Sequence, residues 1–169
     1  MKRFCLLPLI LISHLAAAAD VSSIQSEIDQ TVWKPFKAAF EGLDGEALNA
    51  LYAEEVLRVT PEAGLDTSGL FKQANRNRFE ANIANGDRIQ LDFWFDSRHT
   101  STSTSYDVGF YRVRITEADG TASSFYGQFH IVLENIAGSW KIVQDWDTDQ
   151  IGGQRLTAEV FERKMPARF

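Results

Sequence analysis

One cysteine, three histidines and four prolines are few for a chain of 169 residues, and each scarcity removes an explanation. With Cys5 as the only thiol, neither an internal disulfide framework nor a thiolate zinc site can form. His14, His99 and His130 show no paired-histidine spacing, so no metal site is expected. No glycine-rich phosphate loop and no nucleophile elbow occurs, and no motif asks for a cofactor. Lys and Arg number 17 against 23 Asp and Glu, a formal charge of −6 and a pI near 5.1. That balance lacks the concentrated basic face that displaces counterions from phosphate, so nucleic acid is not an expected partner. Eleven glycines alongside the four prolines exclude collagen-like and low-complexity readings. What the chain does have is 44% hydrophobic and 12% aromatic residues, enough for a core.

The N-terminus has the layout of a secretory signal peptide. Lys2 and Arg3 precede an apolar run from Phe4 to Leu15, broken only at Pro8, Ser13 and His14. Ala17-x-Ala19 then supplies small residues before Asp20, where cleavage is expected. The run is shorter than the roughly 20 apolar residues that a membrane helix needs. Residues 1–19 are therefore read as a signal peptide and 20–169 as a single domain, with its core over 24–149 and a tail over 150–169. The expected location is secreted or periplasmic, without membrane contact after cleavage. Cys5 leaves with the signal, so the stability of the remainder must come from packing.

Helical periodicity comes first. Ile24, Ile28, Val32, Phe36 and Phe40 recur every four residues, with Leu43 three further on. Pro35 removes one N–H from this stripe, which predicts a kink near Trp33-Lys34. Gly42 is read as the helix stop, and Asp44 as the cap of a short second helix through Leu48, Leu51 and Tyr52. A short strand is expected at Val56 to Thr60, ended by Pro61. A third helix starts at Thr67 or Ser68, with Leu70, Phe71, Ala74, Phe79 and Ile83 as its apolar face and Asn85-Gly86 as its stop. From Asp87 the period becomes two: Ile89, Leu91, Phe93 and Phe95 alternate with polar neighbours and Trp94. Strands follow at Tyr106–Glu117, Ala122–Asn135 and Trp140–Thr148. The pattern is α+β: helices packed on a curved antiparallel sheet.

Register sorts the polar residues. A turn centred on Ala137-Gly138 pairs residues whose numbers sum to 275, setting His130 opposite Asp145 and Leu133 opposite Ile142. A three-residue loop with Gly120 left-handed sets Val113 beside Phe125 and Ile115 beside Ser123. The core face then carries Asp107, Tyr111, Phe125, Phe129, Gln144, Trp146 and Thr148 among its apolar members. The opposite face carries Phe110, Arg112, Tyr126, His130, Val143, Asp145 and Asp147. It is too apolar for free solvent and too charged for a core, and such a surface suits a second copy of the chain.

Several stretches in this order resemble the nuclear transport factor 2-like superfamily, and within it the SnoaL-like branch of stand-alone domains. They are Trp33-Lys34-Pro35-Phe36 with Ala39, Leu43-Asp44-Gly45 with Leu51-Tyr52, Gly127 to Leu133, and Gly138 to Asp145. The similarity spans roughly residues 24–149 and consists of fold markers rather than catalytic signatures. It implies a cone-shaped, cystatin-like roll whose curved sheet wraps the N-terminal helices. It also implies a pocket for small hydrophobic molecules at the open end and frequent dimerisation through the sheet. Its members include isomerases, dehydratases and cyclases as well as domains without assigned chemistry, so fold alone does not name an activity.

Each candidate site has a plainer alternative. His130 with Asp145 is the most enzyme-like pair, since a carboxylate can fix an imidazole tautomer, but the register makes it a cross-strand pair at an interface. Asp107, Tyr111 and Gln144 are polar groups on the core face and need partners or a ligand. Asp107 and Tyr111 could imitate the aspartate base and tyrosine donor of the isomerase members, although no motif fixes that correspondence. Tyr52, Arg58, Tyr111, Gln144 and Trp146 are the expected ligand-contacting residues. Two functions remain open: a small-molecule-binding module without chemistry, and a cofactor-free lyase or isomerase of the ketosteroid isomerase or polyketide cyclase kind. The expected partners are a small hydrophobic ligand and a second copy docked on Phe110, Arg112, Tyr126, His130, Val143 and Asp145.

Overall fold

A computed structural model describes residues 20–169; the expected signal segment, residues 1–19, lies outside the described residues. The N-terminal stripe folds as α1 (Val21–Ile28), a π-helical turn (Asp29–Trp33) and α2 (Lys34–Glu41). In an unbroken α-helix a four-residue spacing drifts by about 40° per step. The π turn absorbs one extra residue and rotates the later part of the stripe back toward the sheet. It also accommodates Pro35, because the local bond runs from the Lys34 N–H to the Asp29 carbonyl. The predicted kink is thus a π turn.

Gly42 does not take the left-handed conformation expected of a helix stop (φ −79°). Leu43 takes it instead, at φ 56°, and drops into the core fringe. Asp44 caps α3 (Gly45–Asn49) as expected, accepting the Ala47 N–H at 2.9 Å. Helix α4 (Leu70–Asn85) ends at Gly86 with φ 74°. Its expected apolar face is only partly right. Phe79 is buried edge-on to Phe40 of α2, but Leu70 and Ile83 are exposed, because the helix is held against α3 and α2 rather than laid along the sheet.

The sheet has six strands in the order β2 (Gly64–Asp66), β1 (Tyr52–Thr60), β6 (Ser139–Thr148), β5 (Ala122–Ile136), β4 (Thr104–Thr116) and β3 (Arg88–Thr100). Neighbours are antiparallel except β1 and β6, which run parallel, so the sheet is mixed rather than wholly antiparallel. Its inner face wraps the π turn and α2. Val113 pairs with Phe125 and Ile115 with Ser123, with Gly120 left-handed, as the three-residue loop requires. Phe125 nonetheless lies 54% exposed, because the inner face there runs past the helices to the rim.

The β5–β6 register holds at its turn and then slips. Leu133 faces Ile142 and Glu134 faces Lys141, but Val132 faces Gln144, leaving Val143 as a bulge residue. Beyond it Ile131 pairs with Asp145 and His130 with Trp146, so the expected His130–Asp145 pair does not exist. One inserted residue exchanges the faces of everything after it. Asp145 and Asp147 turn inward, while Gln144 and Trp146 turn outward.

The tail is part of the fold. A small hairpin, β7 (Gln150–Ile151) with β8 (Gln154–Arg155), leads into α5 (Ala158–Phe161). Phe161 is 3% exposed; its carbonyl accepts the Trp94 indole N–H at 2.7 Å. Arg112 lies 5.2 Å over its ring, and Tyr126 packs 6.0 Å from it. The chain then passes the free edge of β3, where the Ala167 N–H donates to the Phe93 carbonyl at 2.7 Å. Part of the expected docking face is therefore covered by the chain's own C-terminus.

Candidate functional site

The concave side of the sheet encloses a cavity of about 160 Å³. Its floor is aromatic: Trp33 from the π turn, Phe36 and Phe40 from α2, Phe93 and Phe129 from the sheet. The Trp33 ring lies 5.3 Å from both Phe93 and Phe129, tilted against each. Tyr111 forms one wall. Its ring can lie flat because its cross-strand partner is Gly127, where a Cβ would overlap the phenol.

Opposite lies a charged cluster built by the two irregular strands. The parallel pairing sets Arg58 beside Asp145, and Arg58 binds both Asp145 and Asp147. The Tyr52 hydroxyl donates to the other Asp145 oxygen at 2.6 Å. Burial pushes the Tyr52 pKa up, and the negative Asp145 adds to it. Burial works against the charge on Arg58, but Asp145 and then Tyr52 and Asp147 outweigh it and raise its pKa. Burial also raises the Asp147 carboxyl; Arg58 opposes this, and repulsion from Asp145 adds to it. Tyr111 is raised mainly by burial, and its hydroxyl has no hydrogen-bond partner among the described residues.

The expected site residues separate into three groups. Tyr52, Arg58, Tyr111 and Asp145 line the cavity. Gln144, Trp146 and His130 do not; the bulge and the strand alternation place them on the convex face. There the Tyr106 hydroxyl meets His130 Nδ1 at 2.5 Å, and Trp146 lies edge-on to the imidazole at 4.6 Å. Desolvation lowers the His130 pKa. Asp145 accordingly leaves the expected docking face.

Asp107 is fully buried, yet it is closed off from the cavity. It accepts the Trp33 indole N–H at 2.9 Å and the Ser105 hydroxyl at 2.7 Å, and pairs with Arg98 at 3.0 Å. Arg98 also reaches Asp29 at 2.8 Å, so this cluster ties both ends of the π turn to the sheet. It is a structural pin, and the proposed pairing of Asp107 with Tyr111 is not made.

Asp147, Asn75 and Arg78 line the cavity without having been anticipated there. Asp147 was hidden by the bulge, whose only trace is the adjacent apolar pair Ile142-Val143. Asn75 and Arg78 belong to a helix face that composition marks as solvent-facing. No cluster of three or more metal-ligating side chains occurs among the described residues.

No family model matches the chain, and no curated protein matches it. Solved structures do. A conserved protein from Planctomyces limnophilus DSM 3776 superposes with a TM-score of 0.63 at 17% identity, over 75% of this chain and 96% of that one. A nuclear transport factor 2-like superfamily protein from Salmonella enterica serovar Typhimurium LT2 gives 0.59 at 15%, over 82% and 97%. A ketosteroid isomerase-like protein from Erwinia carotovora atroseptica SCRI1043 gives 0.55 at 15%, over 72% and 93%. Identities this low carry the fold and not the activity. A curved six-stranded sheet wrapped on a kinked N-terminal helix, matched along nearly the whole length of these structures, is the nuclear transport factor 2-like, cystatin-like fold.

Proposed function

We propose that this protein binds a small, largely apolar molecule in the ring-lined cavity. The observation that carries this reading is the Tyr111 hydroxyl, a donor without a partner among the described residues, set in an aromatic wall. Preformed apolar cavities with a few oriented polar groups are the usual form of a small-molecule site. The volume suits one six-membered ring, since an apolar cavity of about 150 Å³ accommodates benzene. Benzyl alcohol is a suitable probe. Calorimetric titration should show binding to the wild type, and Tyr111→Phe should weaken it about tenfold while leaving the unfolding midpoint within a degree or two. Absence of binding, or equal binding by both proteins, would overturn the reading.

A second reading, acid/base catalysis without a cofactor, is favoured by Asp147. Its carboxyl is raised by burial, and only one of its oxygens is engaged by Arg58. A basic carboxylate facing a tyrosine hydroxyl across an apolar space is a workable proton-transfer pair. Exchange of the α-hydrogens of cyclohexanone in heavy water, followed by NMR, tests it. The wild type should accelerate exchange and Asp147→Asn should abolish the acceleration; exchange at the rate of buffer alone excludes catalysis of this kind.

The signal-peptide layout supports export with cleavage near Ala19-Asp20, which intact mass of the exported protein would locate. For dimerisation, the part of the convex face left open by α5 carries Tyr106, His130, Val132 and Trp146, and a second copy would dock there. Light scattering of the wild type and of Trp146→Asp tests this; a monomeric wild type at micromolar concentration overturns it.

A further inference from the structure

The polar groups at the cavity mouth are unequally satisfied. Asp145 has both oxygens occupied, one by Arg58 and one by Tyr52. Arg58 is consumed by Asp145 and Asp147. Two donors that line the cavity are left over: the Tyr111 hydroxyl and the guanidinium of Arg78.

Arg78 projects from α4 with its guanidinium 5.3 Å over the Phe40 ring and 5.1 Å over the Phe79 ring. Its one hydrogen bond, to Asn75 Oδ1, is long at 3.4 Å, and it forms no ion pair among the described residues. Solvent reaches the residue, but the two rings strip hydration from the charged end; that loss, then the like charge of Arg58, lowers its pKa. A cation held against aromatic faces with a second cation nearby is relieved by an anion. Behind it lies a ring-sized apolar space. Asp147 works against a bound anion, but Arg58 is paired with it and screens it.

We propose that Arg78 is the anion-binding residue of this cavity, and that the ligand is a single-ring acid. The ring sits among Trp33, Phe93 and Tyr111, with its carboxylate at the mouth against Arg78. This inference rests on the binding reading above and adds the charge and class of the ligand.

The test uses three single-ring probes of similar size and different charge, benzoate, benzyl alcohol and benzylamine, titrated calorimetrically into the wild type, Arg78→Gln and Arg78→Lys. Benzoate should bind the wild type at least about tenfold more tightly than benzyl alcohol, and benzylamine most weakly. Arg78→Gln should erase the preference for benzoate over benzyl alcohol; Arg78→Lys should keep part of it, as a point charge replaces the planar fork. Equal binding of benzoate and benzyl alcohol, a preference for benzylamine, or a benzoate preference that survives Arg78→Gln overturns the anion assignment and leaves the binding reading standing. Failure of every probe to bind the wild type overturns both.

Discussion

Replacing Gly127 by alanine tests the wall of the cavity through a single methyl group. Gly127 is buried in β5 opposite Tyr111, and a Cβ there would overlap the phenol ring and its hydroxyl. Its φ is not positive, so the backbone accepts alanine and only the contact matters. Alanine in a strand gains about 0.5–1 kcal/mol over glycine. Overpacking against a ring already seated in the wall costs about 1–3 kcal/mol. The added Cβ would sit so deep inside contact distance of the ring that the cost falls at the upper end. The net expectation is therefore a loss of about 1–2 kcal/mol, read as a lower urea midpoint with an unchanged slope. Because the clash belongs to Tyr111, Gly127→Ala in a Tyr111→Ala background should instead gain about 0.5 kcal/mol, a coupling that a double-mutant cycle measures directly. The same substitution displaces the Tyr111 hydroxyl and should weaken benzyl alcohol binding. A neutral or stabilising Gly127→Ala in the wild type, or an equal loss in both backgrounds, refutes the placement of that ring.

Other consequences are equally direct. Asp107→Asn leaves the buried Arg98 with Asp29 as its remaining counter-charge and weakens the charge-assisted bonds from Trp33 and Ser105, so it should lower stability by about 1.5–3 kcal/mol in urea denaturation; a loss below about 1 kcal/mol would show that the pin is not structural. Phe161→Ala removes the cover of Trp94 and Tyr126 and should cost about 3–5 kcal/mol, with a rise in binding of a hydrophobic dye. The raised Asp147 pKa means that the native state favours its protonated form, a contribution present below the ordinary value of 3.8 and lost as pH rises through the raised value. Asp147→Asn should therefore resemble the wild type at about pH 3 and be as stable or more stable at about pH 7; the opposite trend contradicts the burial argument.

Much of the architecture was legible because it rests on periodicity and turn chemistry. The four-residue spacing of Ile24 to Phe40 marked the kinked helix, and the glycine at 120 fixed the β4–β5 register through Ser123 and Phe125. The Ala137-Gly138 turn likewise set the first pairs of β5 and β6. Legibility ended at Val143. Alternation cannot announce an inserted residue, and Gln144-Trp146 looked as acceptable inside as Asp145-Asp147 looked outside. The inward carboxylates become intelligible only once Arg58 is seen beside them, and Arg58 is placed there by a parallel pairing between segments almost ninety positions apart, with Arg58 opposite Asp145. The same long-range dependence hid the tail: Phe161 is unremarkable in sequence and is buried against Trp94, Arg112 and Tyr126 of the convex face. Asp107 shows the reverse error. Its polarity on a core face suggested chemistry, whereas Trp33, Ser105 and Arg98 use its oxygens to hold the π turn.

Recognition in the ring-lined space depends on which carboxylates face it. A crystal structure of residues 20–169 grown with benzyl alcohol decides it. The expected result is ring density among Trp33, Phe93 and Tyr111, with Asp145 and Asp147 on the cavity side and Val143 bulged. Gln144 and Trp146 found inside, with the two aspartates on the convex face, would contradict the account, and so would a cavity without ligand density.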